Sequence, residues 1–454
     1  MSAPHPLLTA PMVRTILRIA APTTLVMIVQ TIVGVAEMYV IGRLGTAALA
    51  GFQLVFPFLM LMTMMAAGGI GGGVAASVAR ALGAGDRVRA SVLAGHALIV
   101  GAGFAALWLL AMAVFGETLL GAFGARGETL GYAVTYATVA FAGTIAPWAM
   151  FIFAAILRGT GDAATPGKHM MFSSILQVPL SAFLVLGTAG WGLGGWEGMG
   201  IAGAAVSMIA TMLLSAALMA RRLWRGAAGI TPTLAGRGVS MAHLAPILKV
   251  GLISSLSALF LNITTMLVNL AIRPFGDAAL AGYGVGARLE FTLVPLAFGI
   301  GTALTTLVGM AAGAGDWRRA RSVAWVGAGM AAALTGALGL VVALVPHGWA
   351  GMFSGEPVVI EAAVHYLTRV APFYGCIGFG MAMSFASQGA NRQGMPLAAS
   401  VVRLCVAGIG GYLCVAAFGA DLPTLFWMLA AAVFLYAAIV AASLLLRPWG
   451  PRRR

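Results

Sequence analysis

Residues 83–90 read Gly-Ala-Gly-Asp-Arg-Val-Arg-Ala, and residues 313–320 read Gly-Ala-Gly-Asp-Trp-Arg-Arg-Ala. The two stretches share Gly-Ala-Gly-Asp and a following Arg-Ala pair at a separation of 230 positions. Matched glycine and alanine mean little in a chain so rich in both residues, but aspartate and arginine matched in one register are informative. The chain is therefore predicted to contain one structural unit twice.

The same register extends over most of the chain. Tyr136 matches Tyr366 at the same separation of 230, and similar landmarks connect residues 45–166 with residues 276–396. Internal duplication of this size inside a membrane protein is typical of transporters.

The composition predicts a membrane protein. The chain is 61% hydrophobic and only 8% charged, with a mean hydropathy of +0.99, whereas soluble domains have about 25% charged residues. Twelve apolar runs are long enough to cross a bilayer, which takes about 20 residues. They span residues 17–41, 52–79, 91–115, 130–155, 169–187, 199–220, 248–272, 279–310, 322–345, 359–386, 397–418 and 423–446. We therefore expect an all-α polytopic protein without room for a soluble catalytic domain.

The basic residues predict the orientation in the membrane. With the N-terminus, the even-numbered loops and the C-terminus placed on one side, that side has twenty Lys and Arg residues, whereas the other side has only Arg43, Arg126 and Arg273. Positive residues accumulate on the cytoplasmic side, so both termini are expected in the cytoplasm and the protein in the inner membrane of the cell. The net charge of +14 thus does not indicate nucleic acid as a partner.

A basic segment divides the chain in two. Residues 221–246 are predicted to be a cytoplasmic linker between an N-terminal lobe, residues 1–220, and a C-terminal lobe, residues 247–446, with a basic tail at 447–454. Six helices is an even number, so both halves start on the same side and form parallel repeats, related by a pseudo-two-fold axis along the membrane normal. This arrangement predicts a central cleft that binds a small molecule. Because one chain contains both repeats, we expect it to work as a monomer.

Two acidic residues lie within apolar runs and are candidates for ion coupling. Glu37 lies near the outer end of the first run, and Glu290 lies in the eighth. A charge in the centre of a membrane helix costs about 2.5–3.5 kcal/mol on insertion scales, which indicates function. Removal from water favours the neutral form of a carboxyl, so such a group can take up and release a proton. The alternatives are a structural hydrogen bond or a shallow position for Glu37, and a structural ion pair with another helix for Glu290.

Polar side chains in other apolar runs predict the lining of a substrate cavity. Gln30 lies seven residues before Glu37 on the same helix face, and Asn262 and Asn269 show the same spacing. Neutral polar groups suit a cavity for varied or cationic ligands, yet they serve equally well as hydrogen-bonding contacts between helices. The predicted cavity residues are Gln30, Tyr39, Gln177, Asn262, Asn269 and Arg288.

The sequence shows no enzyme signature. It contains no HExxH, Walker A or GxSxG pattern, its six histidines are scattered, and its three cysteines lack metal-ligand spacing. We therefore expect no cofactor and no metal site. An ion gradient is the expected energy source, because nothing in the sequence would cradle a phosphate.

Several motifs in order resemble the multidrug and toxic compound extrusion (MATE) family. Pro22 precedes Glu37 by fifteen residues, and Gly-Arg-Leu-Gly follows at residues 42–45. Residues 158–166, Arg-Gly-Thr-Gly-Asp-Ala-Ala-Thr-Pro, resemble the family's RGxGDxxxP loop, and residues 388–396 are a weaker second copy. The resemblance covers nearly the whole chain, including the helix count and the linker.

The resemblance implies an antiporter that exports lipophilic, cationic small molecules in exchange for protons or sodium. The family's first-helix acid is usually aspartate, and proton-linked members often have Asn and Asp four residues apart on helix 5. Here these positions hold Glu37, Gln177 and Ser181. Helix 10 has no acid in its middle, and helix 7 has Asn262 near the position of the family's acid. The resemblance therefore implies a reduced proton site at Glu37, with Glu290 second, more than a sodium site.

Two other functions fit parts of the sequence. A flippase for lipid-linked oligosaccharides has a related fold and needs a cationic cavity, which Arg288, Arg369 and Arg403 could supply from three helices. An intramembrane enzyme would need clustered His, Asp or Ser on facing helices, a pattern that we do not find.

Overall fold

The computed structural model describes residues 6–192, 194–226, 228–234, 238–446 and 449–450. These residues form helices and no strand. Arg237 and most of the predicted tail at 447–454 lie outside the described residues.

The helices of the described residues match the predicted apolar runs. Eleven helices are long and apolar enough to cross a membrane, and a pair of shorter helices, bent by 46°, forms a twelfth span. We number them α1 Met12–Gly42, α2 Thr46–Gly83, α3 Arg87–Ala122, α4 Gly127–Ala142 with Ile145–Gly159, α5 Ala164–Leu186, α6 Ile201–Trp224, α7 Met241–Phe275, α8 Asp277–Gly313, α9 Trp317–Leu344, α10 Pro357–Gly389, α11 Gly394–Phe418 and α12 Leu422–Leu446.

Two kinds of irregularity interrupt these spans. The bend of α4 falls at Gly143 and Thr144, where the Thr144 hydroxyl donates a 2.9 Å hydrogen bond to the Ala105 carbonyl of α3. Met65–Ile70 in α2 and Leu404–Gly410 in α11 are wound more widely, as π-helix. Such widened turns often occur at functional sites.

The repeated Gly-Ala-Gly-Asp stretches form the same turn twice. Gly85 and Gly315 have φ angles of 78° and 77°, a left-handed conformation that glycine adopts without steric cost. The carboxylates of Asp86 and Asp316 then accept hydrogen bonds of 2.8 and 2.9 Å from the backbone N–H three residues later. Each aspartate therefore caps the N-terminus of the next helix, α3 or α9, which gives the matched residues a structural role.

The chain forms two compact units. The first unit contains the described residues of Met1–Thr24, Ala79–Gly85 and Leu252–Arg454, and the second contains Leu25–Val78 and Asp86–Gly251. Helices α1, α2 and α7 each contribute residues to both units. The boundaries given above for the N-terminal and C-terminal lobes remain a prediction.

In the first unit, the ends of α2 and α8 cross at two matched glycines. A Cβ atom on Gly83 would fall on the carbonyl oxygen of Met310, and a Cβ on Gly313 would fall on that of Arg80. Backbone carbonyls cannot move aside as a flexible side chain can, so this close helix crossing requires glycine at both positions.

In the second unit, the segment between α6 and α7 lies against the start of α3. The backbone N–H of Thr233 donates to the Ser91 carbonyl at 3.1 Å, and that of Ser240 donates to Nε2 of His96 at 3.1 Å. Helices α6 and α7 both extend into the predicted linker, so a shorter part of the linker lacks helical structure.

Candidate functional site

The first candidate site is built around Glu37, near the C-terminal end of α1 in the second unit. The carboxyl is buried, and its Oε2 accepts a 2.7 Å hydrogen bond from Nε2 of Gln177 on α5. Its Oε1 is also buried and has no hydrogen-bond partner among the described residues. Among the described residues, no Lys, Arg or His side chain lies within ion-pair distance of either oxygen of the Glu37 carboxyl.

The α5 side of this site is polar. Ser181 lies one helical turn after Gln177, is fully buried, and its Oγ has no hydrogen-bond partner among the described residues. Residues four apart share a helix face. Pro179 lies between them within the helix, where the missing N–H frees a carbonyl. The α5 face near Glu37 therefore offers hydrogen-bonding groups that remain unsatisfied.

Aromatic side chains extend the site towards α2 and α4. Tyr136 is fully buried, packs edge-on against Phe52 with ring centroids 5.1 Å apart, and interacts electrostatically with Glu37. Tyr136 is the matched counterpart of Tyr366 in the other half. The surroundings of Glu37 thus exclude bulk water while supplying neutral polar groups.

The second acid, Glu290 on α8, has different partners in the first unit. Its Oε1 accepts a hydrogen bond from Nη2 of Arg403 on α11 at 3.2 Å, which is also an ion pair. Its Oε2 accepts a 3.4 Å contact from the Tyr366 hydroxyl on α10, and Tyr374 donates to that hydroxyl at 3.2 Å. The structure thus shows that Glu290 forms an ion pair with a residue of another helix. This is the alternative to ion coupling that the sequence left open for Glu290.

Aromatic rings surround the ion pair of Glu290. Tyr366 packs edge-on against Tyr283 and Phe426, with centroid separations of 5.4 and 5.3 Å, and Tyr283 stacks on Phe426 at 6.4 Å. The three rings belong to α10, α8 and α12, and they are part of the buried core of this unit.

The remaining predicted cavity residues are placed as follows. Asn262 is exposed, and its amide donates to the Ala258 carbonyl one turn earlier at 2.9 Å. Arg288 lies over the ring of Phe353, 5.3 Å from its centroid. Tyr39 is 73% exposed. Gln30 and Asn269 are half-buried.

The structure brings together Glu37 and Gln177, two positions that the family resemblance assigns to one proton site. Gln177 was predicted to line a cavity, but its amide binds the carboxyl of Glu37. From the sequence, Tyr366 is only a landmark of the repeat and Arg403 only a possible part of a cationic cavity, and no pattern indicates Tyr374. The correspondence of Tyr136 with Tyr366 was the only sequence signal for the aromatic part of either site. In the described residues, no group of three or more His, Cys, Asp or Glu side chains could hold a metal ion.

Comparison with known families decides the class of protein. The family model described as MatE matches residues 22–183 and 254–413, one match in each half. The chain belongs to the MatE family.

Several MatE relatives match across most of this chain. The FAD transporter of Shewanella oneidensis is 25% identical and covers 90% of both chains. The probable multidrug resistance protein NorM of Thermotoga maritima is 24% identical, covering 86% of this chain and 83% of its own. A second probable NorM, from Bradyrhizobium diazoefficiens, is 28% identical over 88% and 84%.

Solved structures of MATE transporters share the fold. A multidrug resistance MATE family transporter in an outward-facing conformation superimposes with a TM-score of 0.87 at 25% identity, covering 98% of this chain and 99% of that one. A MOP superfamily transporter from Pyrococcus furiosus gives 0.88, also at 25% identity and with the same coverage. The predicted twelve-helix, two-repeat fold is therefore confirmed, as is the expectation that this multi-pass membrane protein is a transporter and not an enzyme.

Proposed function

We propose that this chain exports lipophilic, cationic small molecules across the inner membrane in exchange for protons, and that Glu37 is the coupling residue. Two relatives are named as multidrug resistance proteins, which supports the substrate class. The observation that carries the proposal is the buried Glu37 carboxyl, which binds one neutral amide and keeps one oxygen free of partners among the described residues.

The chemistry of Glu37 suits reversible proton binding. A charged carboxylate removed from water is costly unless a cation or several donors compensate it, and here Gln177 provides a single neutral donor. A proton on the free oxygen removes the charge. A cationic substrate compensates it in a different way, so proton and substrate compete for one carboxylate.

Competition at one site produces exchange if the site opens to only one side at a time. A proton entering from outside neutralises Glu37 and releases the substrate, and the two repeats then rock towards the cytoplasm. Loss of the proton inside restores the charge that attracts the next cation. The cycle needs no cofactor, and one chain with both termini in the cytoplasm is sufficient for it.

The arginines weaken the flippase alternative. Arg403 binds Glu290, Arg288 lies over Phe353, and Arg369 contacts His365 through its Nη1 at 3.0 Å. Of the three, Arg403 already pairs with an acid, which makes it a poor candidate for binding an anionic lipid headgroup. One relative is named as an FAD transporter, so a flavin dinucleotide is the second candidate substrate.

Reconstitution in liposomes tests the proposal. Purified protein would be given a lipophilic cationic dye, and separately a flavin dinucleotide, under a proton gradient or a sodium gradient. We expect dye movement under the proton gradient only. The variant Glu37→Gln should lose at least nine-tenths of this movement, and Glu37→Asp should retain part of it because it keeps a carboxyl.

The matched control is Glu356→Gln, which removes the same charge from an exposed position before α10 and should transport as wild type. Proton-driven dye movement that survives in Glu37→Gln would refute the assignment of Glu37. Movement of flavin alone would keep the transporter class and replace the substrate.

A further inference from the structure

We propose that Arg403 is a built-in counter-cation for Glu290, so that this second acid binds neither a proton nor a sodium ion during transport. The inference rests on the proposed function in one respect, namely that a soluble cation drives the cycle. It assigns a role to Arg403. It also removes the ion-coupling role that the sequence predicted for Glu290.

Each oxygen of the Glu290 carboxylate has a hydrogen-bond partner. The Arg403 guanidinium is 3.2 Å from Oε1, and the Tyr366 hydroxyl is 3.4 Å from Oε2. Tyr374 donates to the same Tyr366 hydroxyl at 3.2 Å, so Tyr366 is free to direct its own proton to the carboxylate. At Glu37, in contrast, one oxygen has no partner among the described residues.

The two acids also differ in charge balance. Glu37 binds a neutral amide, whereas Glu290 binds a guanidinium group, which stays protonated in proteins. A proton or sodium ion that binds at Glu37 removes an uncompensated charge. The same ion at Glu290 would have to displace a fixed positive charge, and would leave that charge unpaired in a protein interior.

Burial and backbone geometry keep Arg403 in place. The side chains of Arg403 and Glu290 are only 15% and 24% exposed, and Tyr366, which contacts Glu290, packs against the rings of Tyr283 and Phe426. The widened turn Leu404–Gly410 begins directly after Arg403. An arginine fixed in this way differs from a soluble ion because it cannot dissociate.

The proposal predicts one coupling acid instead of two. It also predicts that sodium has no binding site at Glu290, because both carboxylate oxygens are already engaged. Freeing this carboxylate should create a cation site, because a mostly buried carboxylate without its guanidinium partner is costly unless a proton or a sodium ion compensates the charge.

The experiment compares wild type with Arg403→Met and Arg403→Lys. A hydrophobic carbodiimide, which modifies protonated carboxyls inside membranes, would be reacted with each purified protein, and modification of Glu290 would be quantified by mass spectrometry. Binding of radioactive sodium would be measured on the same samples. We expect no modification and no sodium binding in wild type or Arg403→Lys. In Arg403→Met, we expect at least a tenfold rise in Glu290 modification or stoichiometric sodium binding.

Modification of Glu37 in the same digest reports separately on the proposed function. Unmodified Glu37 would count against proton coupling there, without affecting the result at Glu290. Glu290 that is modified equally in wild type and Arg403→Met would overturn the counter-cation, as would an Arg403→Met protein that gains neither modification nor sodium binding.

Should Arg403→Met not fold, the double variant Glu290→Gln/Arg403→Met removes both charges and provides the reference. Wild type that binds no more sodium than this variant supports the proposal. Excess sodium binding by wild type contradicts it.

Discussion

The hydrogen bond from Gln177 to Glu37 holds the proposed coupling carboxyl against α5. Replacing Gln177 with Leu removes that donor, and a hydrogen bond to a charged group contributes about 1.5–3 kcal/mol. We expect proton-driven dye transport to fall roughly 10- to 100-fold, measured as the initial rate in liposomes. The control is Ser215→Ala on α6, whose buried hydroxyl has no partner among the described residues and whose loss should change the rate less than threefold. Equal losses in the two variants would contradict this role of Gln177.

Removing one partner of the Glu290–Arg403 pair should destabilise the protein, whereas removing both should cost little. Removing one partner of a buried ion pair costs about 3–5 kcal/mol, and the partial exposure of these side chains, 15% and 24%, reduces that cost to about 2 kcal/mol or more. We expect Glu290→Gln to lower the Tm clearly in detergent. The double variant Glu290→Gln/Arg403→Met should recover much of the loss, because it leaves no unpaired charge. A double variant less stable than either single variant would show that the pair itself is the stabilising element.

Both acids could be found from the sequence because a charge inside an apolar run is conspicuous. Their partners could not be found in this way. Gln177 is 140 residues from Glu37, and Arg403 is 113 residues from Glu290. Pairing over such distances depends on how helices are arranged, which hydropathy and spacing do not encode. Ser181 and Tyr374 are ordinary residues in apolar runs, and only packing distinguishes them.

At the scale of the helices, the crossing of α2 and α8 depends on Gly83 and Gly313. An alanine Cβ at either position would overlap a backbone carbonyl, so Gly83→Ala and Gly313→Ala should each lower thermal stability. The controls are Gly103→Ala and Gly329→Ala, where a Cβ would meet no atom within 4 Å. Alanine is a better helix former than glycine by about 1 kcal/mol, so these controls should match or exceed wild type. Thermal unfolding in detergent measures all four variants.

The helices themselves were largely predictable. Each apolar run became a span, and Gly-Ala-Gly-Asp became a turn with an aspartate cap, because local hydropathy and glycine conformation determine both. The bend of α4 at Gly143 and the widened turns in α2 and α11 were not predicted. They depend on contacts between helices, such as the Thr144 hydroxyl on the Ala105 carbonyl, which no local pattern reveals.

At the scale of the whole molecule, the duplication makes one chain self-sufficient in the proposed cycle. The family model matches once in each half, so one chain contains both repeats that the proposed cycle uses. We expect transport in liposomes that contain mixtures of wild type and Glu37→Gln to fall in direct proportion to the wild-type fraction. A steeper fall, with the inactive chain suppressing the active one, would show that chains work as oligomers.

The central claim is that the Glu37 carboxyl exchanges a proton for the substrate. The most direct test adds a cationic substrate to purified protein in weakly buffered detergent solution and follows proton release with a pH-indicator dye. We expect about one proton released per bound substrate in wild type and in Glu290→Gln/Arg403→Met, and none in Glu37→Gln. Substrate binding that releases the same number of protons from Glu37→Gln as from wild type would contradict this claim.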